Sequence, residues 1–510
     1  MTSSIPILQH PVRTIGIVGG GIAGVLTAKT LRQAGFHCEI FERGDRLGGV
    51  WTAGYHSAGL QTPRGFYNLP DWPMPDHYPD MPSAAQLQAY VEDYARHFGV
   101  DQHVHLQHRI ERLSERSDGP GWTIEYTADG ARGSRSFDYL VMATGLYANP
   151  FVPSLPGREQ FAGEVLHSSE YRHPDQVRGR KVVVVGFGKS ALDVAVDAAR
   201  HDADVSLVFR EAHWPVPVKL FGRVDIRKLF MNRLASAFLP LYQRPGRWEA
   251  RLHRHAPWLV RGFWRAVEAA VDKQFGLAKS NALPTTSFAN DLFSGGILPT
   301  DDTYPRLRDG SVTPVCAGLD SYTATGLRLT TGQTLDADVV VFGTGWRRDD
   351  SLLPAPLRSQ IEGDGVYLYR HILSPELANL AFIGWASTFS NSLTSHLGAV
   401  WLAHVLTGRV SLPSADAMRA EIADMKRWKR GFIPAMGCRG SMLQLHMWNF
   451  HDDLLRDMGV EPHRKRSLIA ELLSDYSPAD YAELFTDDHL RAPATAAAPT
   501  PISAAATTAG

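Results

Sequence analysis

The stretch TIGIVGGGIAGVLTAKTLRQAGFHCEIFE, residues 14–42, decides the fold. TIGIV (14–18) reads as a strand, IAGVLTAKTLRQAG (22–35) as a helix, and CEIFE (38–42) as a second strand. That order is a β-turn-α-β unit. Its turn, Gly19-Gly20-Gly21-Ile22-Ala23-Gly24, is a G-x-G-x-x-G. In such a turn Gly19 allows the tight bend, Gly21 lets backbone approach a pyrophosphate, and Gly24 lets helix and strand pack closely. The helix N-terminus then presents free N–H groups to phosphates. Glu42 closes the second strand, where a carboxylate accepts hydrogen bonds from a ribose diol. The competing reading is a purely structural glycine turn; the strand before it and the helix after it weigh against that.

A second unit begins at Lys181. KVVVVG (181–186) predicts a strand, KSALDVAVDAARH (189–201) a helix and DVSLVFR (204–210) another strand. Its turn, Gly186-Phe187-Gly188-Lys189-Ser190-Ala191, has the G-x-G-x-x-A form. Arg210 stands where the first unit has Glu42. A carboxylate suits a free 2′-hydroxyl and an arginine suits a 2′-phosphate. The first turn therefore reads as a site for FAD and the second as a site for NADPH, with Lys189 adding positive charge near the phosphates. The competing reading of Arg210 is a surface residue at a strand end. Two such units far apart imply an α/β chain with two Rossmann-like dinucleotide-binding domains. After Glu42 comes Arg46-Leu47-Gly48-Gly49-Val50-Trp51. Gly48 and Gly49 permit close backbone approach to the ribityl or pyrophosphate part of a flavin; Trp51 reads as a cofactor neighbour or as core.

Size and composition agree. The chain has 510 residues, enough for two or three domains, with 44% hydrophobic and 21% charged residues. A net charge of −1 gives no global attraction to nucleic acid or membrane. Three cysteines (Cys38, Cys316 and Cys438) without a CxxC pair fit a reducing, cytoplasmic setting and argue against a dithiol flavoreductase. The N-terminus is too short and too broken by proline for a secretory signal, and no apolar run predicts a transmembrane helix. Residues 1–12 and the low-complexity stretch 491–510 read as flexible tails. A homodimer is compatible with the size, although nothing in the sequence specifies one. No Ser/His/Asp set or metal-ligand cluster has convincing spacing.

FAGEVLHSSEY (161–171) sits between the two units. Phe161, Gly163, His167 and Tyr171 match F-x-G-x-x-x-H-x-x-x-Y, and the chain here resembles the class B flavin-containing monooxygenases, plant and bacterial members in particular. GGVW (48–51), ATG (143–145) with Thr144 and Gly145, and GTGW (343–346) with Gly345 extend the resemblance over roughly 13–487. The resemblance implies FAD and NADPH as cofactors, and a small organic molecule and dioxygen as substrates. NADPH would reduce FAD, dioxygen would form a flavin hydroperoxide shielded by NADP⁺, and one oxygen atom would pass to a nucleophilic nitrogen or sulfur. It implies an FAD domain over 13–172 and 346–490 interrupted by an NADPH domain over 173–345. His167 would fix one domain against the other near the nicotinamide; both His167 and Tyr171 also read as interdomain packing residues.

The departures are specific. Gln61 stands where relatives carry an asparagine near the flavin, and is a candidate contact to it. His396 and Gly398 replace an acid and a glutamine. Ketone-oxidising Baeyer–Villiger relatives end the signature with tryptophan; Tyr171 favours oxygenation of a heteroatom. Two more activities fit the motifs less well, an NADPH oxidase releasing hydrogen peroxide and a non-catalytic flavin-binding module, and Arg210 argues against the latter. Residues 214–300 read as a helical insert, in which Trp214, Phe221, Phe230, Phe238, Trp258, Phe263 and Trp264 line a substrate tunnel or cap, or form plain core; an amphipathic cap touching membrane lipid fits less well without a basic face.

Overall fold

The computed structural model describes residues 7–9, 11–225, 230–293 and 296–491. Two parallel five-stranded sheets organise the chain. The first has the order Leu380–Phe382, Tyr139–Met142, Thr14–Val18, His37–Phe41 and Val104–His105. The second has the order Val312–Cys316, Asp204–Phe209, Lys181–Val185, Val339–Phe342 and Glu164–His167. The expected strands at 14–18, 181–186 and 204–210 and helices at 22–35 and 189–201 appear as Thr14–Val18, Lys181–Val185, Asp204–Phe209, Ile22–Gln33 and Lys189–Arg200, and a further helix spans Ala84–His97. A capping box starts Ala84–His97: Ser83 Oγ accepts from Gln86 N–H, and Gln86 Oε1 accepts from Ser83 N–H at 2.9 Å.

Strand alternation explains how each sheet is covered. In the first sheet Ile15, Ile17, Ile40 and Val141 face the helices, while Phe41, Leu140 and Met142 pack against Trp122, Ile124 and Phe137. Those three aromatic and aliphatic residues belong to the antiparallel meander Arg109–Glu115, Trp122–Ala128 and Ala131–Phe137. The second sheet repeats the plan. Val182, Val184 and Leu207 face the helix side, and Val183, Val185, Val340 and Phe342 pack on Leu327 and Leu329 of the meander Leu319–Thr323, Gly326–Leu329 and Thr334–Asp336. Both units therefore place a meander immediately before their last inner strand.

The strand Leu380–Phe382 returns to the first sheet after the second is complete, so the second unit is an insertion in the first. The sheet pairing departs from the expected boundary at 172 by one strand. Glu164–His167 pairs in parallel with Val339–Phe342, with Leu166 beside Val341 and His167 beside Phe342. The signature thus contributes an edge strand to the second sheet. The two crossings between the units pair with each other as the short antiparallel ribbon Asn149–Pro150 and Trp346–Arg347.

Residues 214–300 are less uniformly helical than expected. They hold the ribbon Lys219–Leu220 and Val224–Asp225 and the helices Arg233–Ser236, Arg247–His255, Pro257–Phe275 and Phe288–Asp291. Of the seven aromatic residues, Trp214, Phe230 and Trp264 are buried, and Phe238 and Phe263 are half-buried. Phe230 stacks on Trp264 at 5.9 Å, and Phe238 packs on Phe263 at 4.6 Å. Trp214, Phe230 and Trp264 are packed core, and Phe263 packs against them from a half-buried position. Phe221 and Trp258 are exposed. The leader is also not wholly free: Asn379 N–H donates to Ile7 O at 3.0 Å, and Gln9 N–H donates to Asn379 Oδ1 at 2.7 Å. The expected tails over 1–6 and 492–510 lie outside the described residues. Among the described residues no helix is long and apolar enough to cross a membrane.

Candidate functional site

Each glycine turn is sewn between its two neighbouring strands by the same pair of backbone hydrogen bonds. Gly19 N–H donates to Phe41 O at 2.9 Å, and Ala143 N–H donates to Val18 O at 2.8 Å. In the second unit Gly186 N–H donates to Val208 O, and Gly343 N–H to Val185 O, both at 2.8 Å. The phrases ATG and GTG are therefore the floors on which the two turns sit. Packing explains the glycines. A Cβ on Gly24 would lie 1.9 Å from Gly19 O, and a Cβ on Gly19, at φ +111°, would lie 2.6 Å from Ala143 O. At Gly188 a Cβ would meet nothing within 4 Å. That gap opens beside the start of helix Lys189–Arg200, which has no side-chain cap; helix Ile22–Gln33 starts equally uncapped at Gly21. Their first-turn N–H groups are available to an anion.

Glu42 lies at the first turn as expected, but it also serves the protein. Its Oε2 accepts from Gly20 N–H at 2.6 Å and its Oε1 from Gly44 N–H at 2.7 Å. Each carboxylate oxygen retains a lone pair for a ribose hydroxyl. Gly48 N–H donates to Gly20 O at 3.0 Å, and the Cα of Gly21 would lie 2.9 Å from a Cβ on Gly49, so the 48–49 loop lies directly against the turn. Trp51 is half-buried and donates from Nε1 to Tyr67 OH at 3.2 Å. Thr144 Oγ1, Trp385 Nε1 and Asn391 Oδ1 are buried polar atoms without a hydrogen-bond partner among the described residues. Thr144 follows the strand Tyr139–Met142, Trp385 follows Leu380–Phe382, and Asn391 begins helix Asn391–Leu406. Thr144 and Trp385 thus sit just past the carboxyl ends of strands of the first sheet, where ligands of parallel sheets bind.

His167 is buried and bridges the signature to the GTG floor. Its Nε2 lies 2.9 Å from Gly345 O, a pure acceptor, so Nε2 carries the proton. Nδ1 then accepts from Ser169 N–H at 3.2 Å. Its ring stands edge-on to Trp346 at 5.2 Å. Burial, the larger influence, lowers the imidazole pKa and keeps the ring neutral. Tyr171 is fully buried and donates to Asp197 Oδ2 at 2.6 Å on helix Lys189–Arg200. The His167–Gly345 bond lies within the second unit, and the Tyr171–Asp197 bond ties the end of the signature to the helix of the second turn. Gln61 is exposed, without a side-chain hydrogen bond among the described residues. Gly345 lies with a positive φ of +79° and open space at its Cβ position. Ser190 is half-buried in the first turn of its helix, and Arg210 is exposed just past strand Asp204–Phe209. Its neighbour Glu211 is held elsewhere, accepting from the hydroxyls of Thr285 and Thr286 at 2.9 Å.

Lys189 differs from expectation: its ammonium is paired with Asp193 one helical turn on. Four residues that join the units were not expected from the sequence. Tyr55 OH donates to Asp193 Oδ2 at 2.6 Å, and His56 Nδ1 lies 3.2 Å from Asp197 Oδ2. Two acids at i, i+4 inside the apolar run ALDVAVDAA of that helix were the available signal, since buried carboxylates need partners. His396, one of the departures, is fully buried, stacks on Phe485 at 3.7 Å and lies 3.9 Å from Asp71. Gly398 lines a cavity of about 10 Å³ with Gly384, Trp385 and Thr394.

Residues 12–237 and 310–477 match the family described as flavin-binding monooxygenase-like. The chain belongs to that family. The unmatched residues between those segments fall largely in the aromatic insert. A probable flavin-containing monooxygenase of Arabidopsis thaliana is 28% identical over 92% of this chain and 96% of its own length. A dimethylaniline monooxygenase (N-oxide-forming) of Rattus norvegicus is 26% identical over 88% of this chain and 83% of its own length. The S-allyl-L-cysteine S-oxygenase of Allium sativum shares the fold, with a TM-score of 0.59, 22% identity and coverage of 88% and 89%. This flavin-dependent monooxygenase uses FAD and NADPH. The residues present fit both groups: an uncapped helix start at each turn, the orphaned Thr144 hydroxyl near the first, and the open face of Gly188 at the second.

Proposed function

We propose that this monooxygenase transfers one oxygen atom of dioxygen to a nucleophilic nitrogen or sulfur of a small organic substrate. The observation that carries the reading is the pairing of a carboxylate-closed turn at Glu42 with an arginine-closed turn at Arg210, the helix of the second turn being tied to the first domain through Tyr55 and Asp193. Bound FAD supplies the redox chemistry, taking a hydride from NADPH and activating dioxygen. The chain's own residues bind and orient. Gly19, Gly21, Gly24, Gly48, Gly49 and Glu42 hold FAD in this reading, with Thr144 and Gly145 at its edge. Gly186, Gly188, Ser190 and Arg210 hold NADPH in this reading, with the Lys189 ammonium engaged by Asp193, and Gly345 positions the nicotinamide end. His167 stays neutral and donates to Gly345, so it orients the floor rather than moving a proton. The second oxygen atom leaves as water, which balances the two electrons of NADPH.

Support for a heteroatom substrate comes from Tyr171 at the end of the signature and from the names of the rat N-oxide-forming and garlic S-oxygenating relatives. Three unpaired cysteines support a cytoplasmic setting. The test is a product assay on the purified yellow protein with NADPH, offered amines, thioethers and ketones. N-oxide or sulfoxide formation matched to NADPH consumption is expected. Ester formation from ketones would make it a Baeyer–Villiger enzyme. Stoichiometric hydrogen peroxide with every substrate would make it an oxidase.

A further inference from the structure

Lys189 is the first residue of helix Lys189–Arg200, beside the open face of Gly188. Helical side chains lean toward the N-terminus, so a lysine here reaches the phosphate track with ease. It is instead drawn back: both oxygens of Asp193 accept from its ammonium. The Asp193 side chain is 2% exposed, and it has a further partner from the other domain. Tyr55, on the segment that follows the 48–49 loop of the first turn, donates to it at 2.6 Å. One turn further along, Asp197 takes Tyr171 OH at 2.6 Å and His56 Nδ1 at 3.2 Å. His56 N–H also donates to Tyr171 O at 2.8 Å. The helix that carries the second turn is thus tied to the first domain by two buried acids.

We propose that Asp193 is a positioning residue with two roles: it restrains Lys189 from the phosphates at the second turn, and through Tyr55 it fixes that turn against the first domain. The inference rests on the reading of 186–191 as the NADPH turn. A buried carboxylate left without its cation is strongly disfavoured, so a phosphate must compete with Asp193 for the ammonium. The restraint keeps nucleotide affinity below what a free lysine would give, and the Tyr55 bond keeps nicotinamide and flavin in register.

The experiment uses the full chain purified with its flavin. NADP⁺ affinity is measured by calorimetry, and amide exchange across 189–200 by mass spectrometry. Asp193→Asn keeps an acceptor for Tyr55 while releasing Lys189, and should tighten NADP⁺ binding roughly fivefold. Adding Lys189→Met to that variant should remove the gain. Weaker NADP⁺ binding by Asp193→Asn would overturn the restraint, because the pair would then be presenting Lys189 to the phosphates. If Asp193→Asn does not fold, Lys189→Met alone decides: near-unchanged affinity supports the restraint, and a roughly tenfold loss overturns it. Tyr55→Phe should speed exchange in helix Lys189–Arg200 by about tenfold. Unchanged exchange would overturn the anchor. A wild type that binds no NADP⁺ would defeat the NADPH reading and the restraint with it, while the Tyr55 exchange result would still decide the anchor.

Discussion

His167 Nε2 donates to the carbonyl of Gly345 across 2.9 Å, joining two residues 178 positions apart. The bond ties the edge strand of the second sheet to the floor of the second turn, at the crossing between the two domains. Its loss should loosen that crossing without emptying either cofactor site. His167→Ala should keep its flavin and lower stability by about 2 kcal/mol, the range for a buried acceptor left unpaired. It should also release more hydrogen peroxide per NADPH consumed. A peroxide-to-product ratio equal to wild type would limit His167 to packing.

The two turns predict opposite responses to the same small substitution. Gly24→Ala forces a Cβ to 1.9 Å from a backbone oxygen, so soluble, yellow protein should be lost. Gly188→Ala meets nothing within 4 Å, so thermal stability should stay within about 0.5 kcal/mol of wild type. NADP⁺ binding should nevertheless weaken, because the methyl occupies the face a pyrophosphate approaches. Thermal melts and calorimetry on the two variants check both arms.

Arg210 is exposed and its acidic neighbour Glu211 is tied to Thr285 and Thr286. Its guanidinium is therefore available for a 2′-phosphate. Arg210→Gln should reduce the preference for NADPH over NADH by roughly 30-fold, about 2 kcal/mol for a charge-assisted contact. Steady-state kcat/KM for flavin reduction with each nucleotide gives the ratio directly; an unchanged ratio would move 2′-phosphate recognition elsewhere.

Acid should destabilise the fold before carboxylates titrate. His396, His404, His446 and His451 are buried, and burial pushes each imidazole pKa down to about 3. In the unfolded chain they titrate near about 6.5. Between those values the unfolded state binds more protons, so stability is full above about pH 6.5 and falls as pH drops toward about 3. Each histidine contributes a slope of about 1.4 kcal/mol per pH unit in that window. Melting temperature measured from roughly pH 7.5 to 5 should decline steadily below about 6.5. Replacing His404 with Gln should flatten the decline.

Both dinucleotide units were legible because their information is local. Strand, glycine turn, helix and closing charge all fall between Thr14 and Glu42, and again between Lys181 and Arg210. Hydrophobic alternation and glycine sterics act over a few residues, and so survive being read without coordinates. The family signature was legible for the same reason. Its placement was not: pairing with Val339–Phe342 put Glu164–His167 in the second sheet, because register is set by a partner strand far along the chain. Gly398 and the insert aromatics were legible only as residue types, and packing decided that Trp214, Phe230 and Trp264 are core.

The sequence by itself determined that this protein has two strand–glycine turn–helix units, one closed by Glu42 and one by Arg210. The tertiary structure alone decided which charges are free to meet a ligand. It committed Lys189 to Asp193, Tyr171 to Asp197 and His167 to Gly345, and left Arg210 in solvent. The physical reason is desolvation. A buried polar group takes whatever partner the fold brings within hydrogen-bond distance, and that partner is set by how sheets and helices pack rather than by its neighbours in sequence.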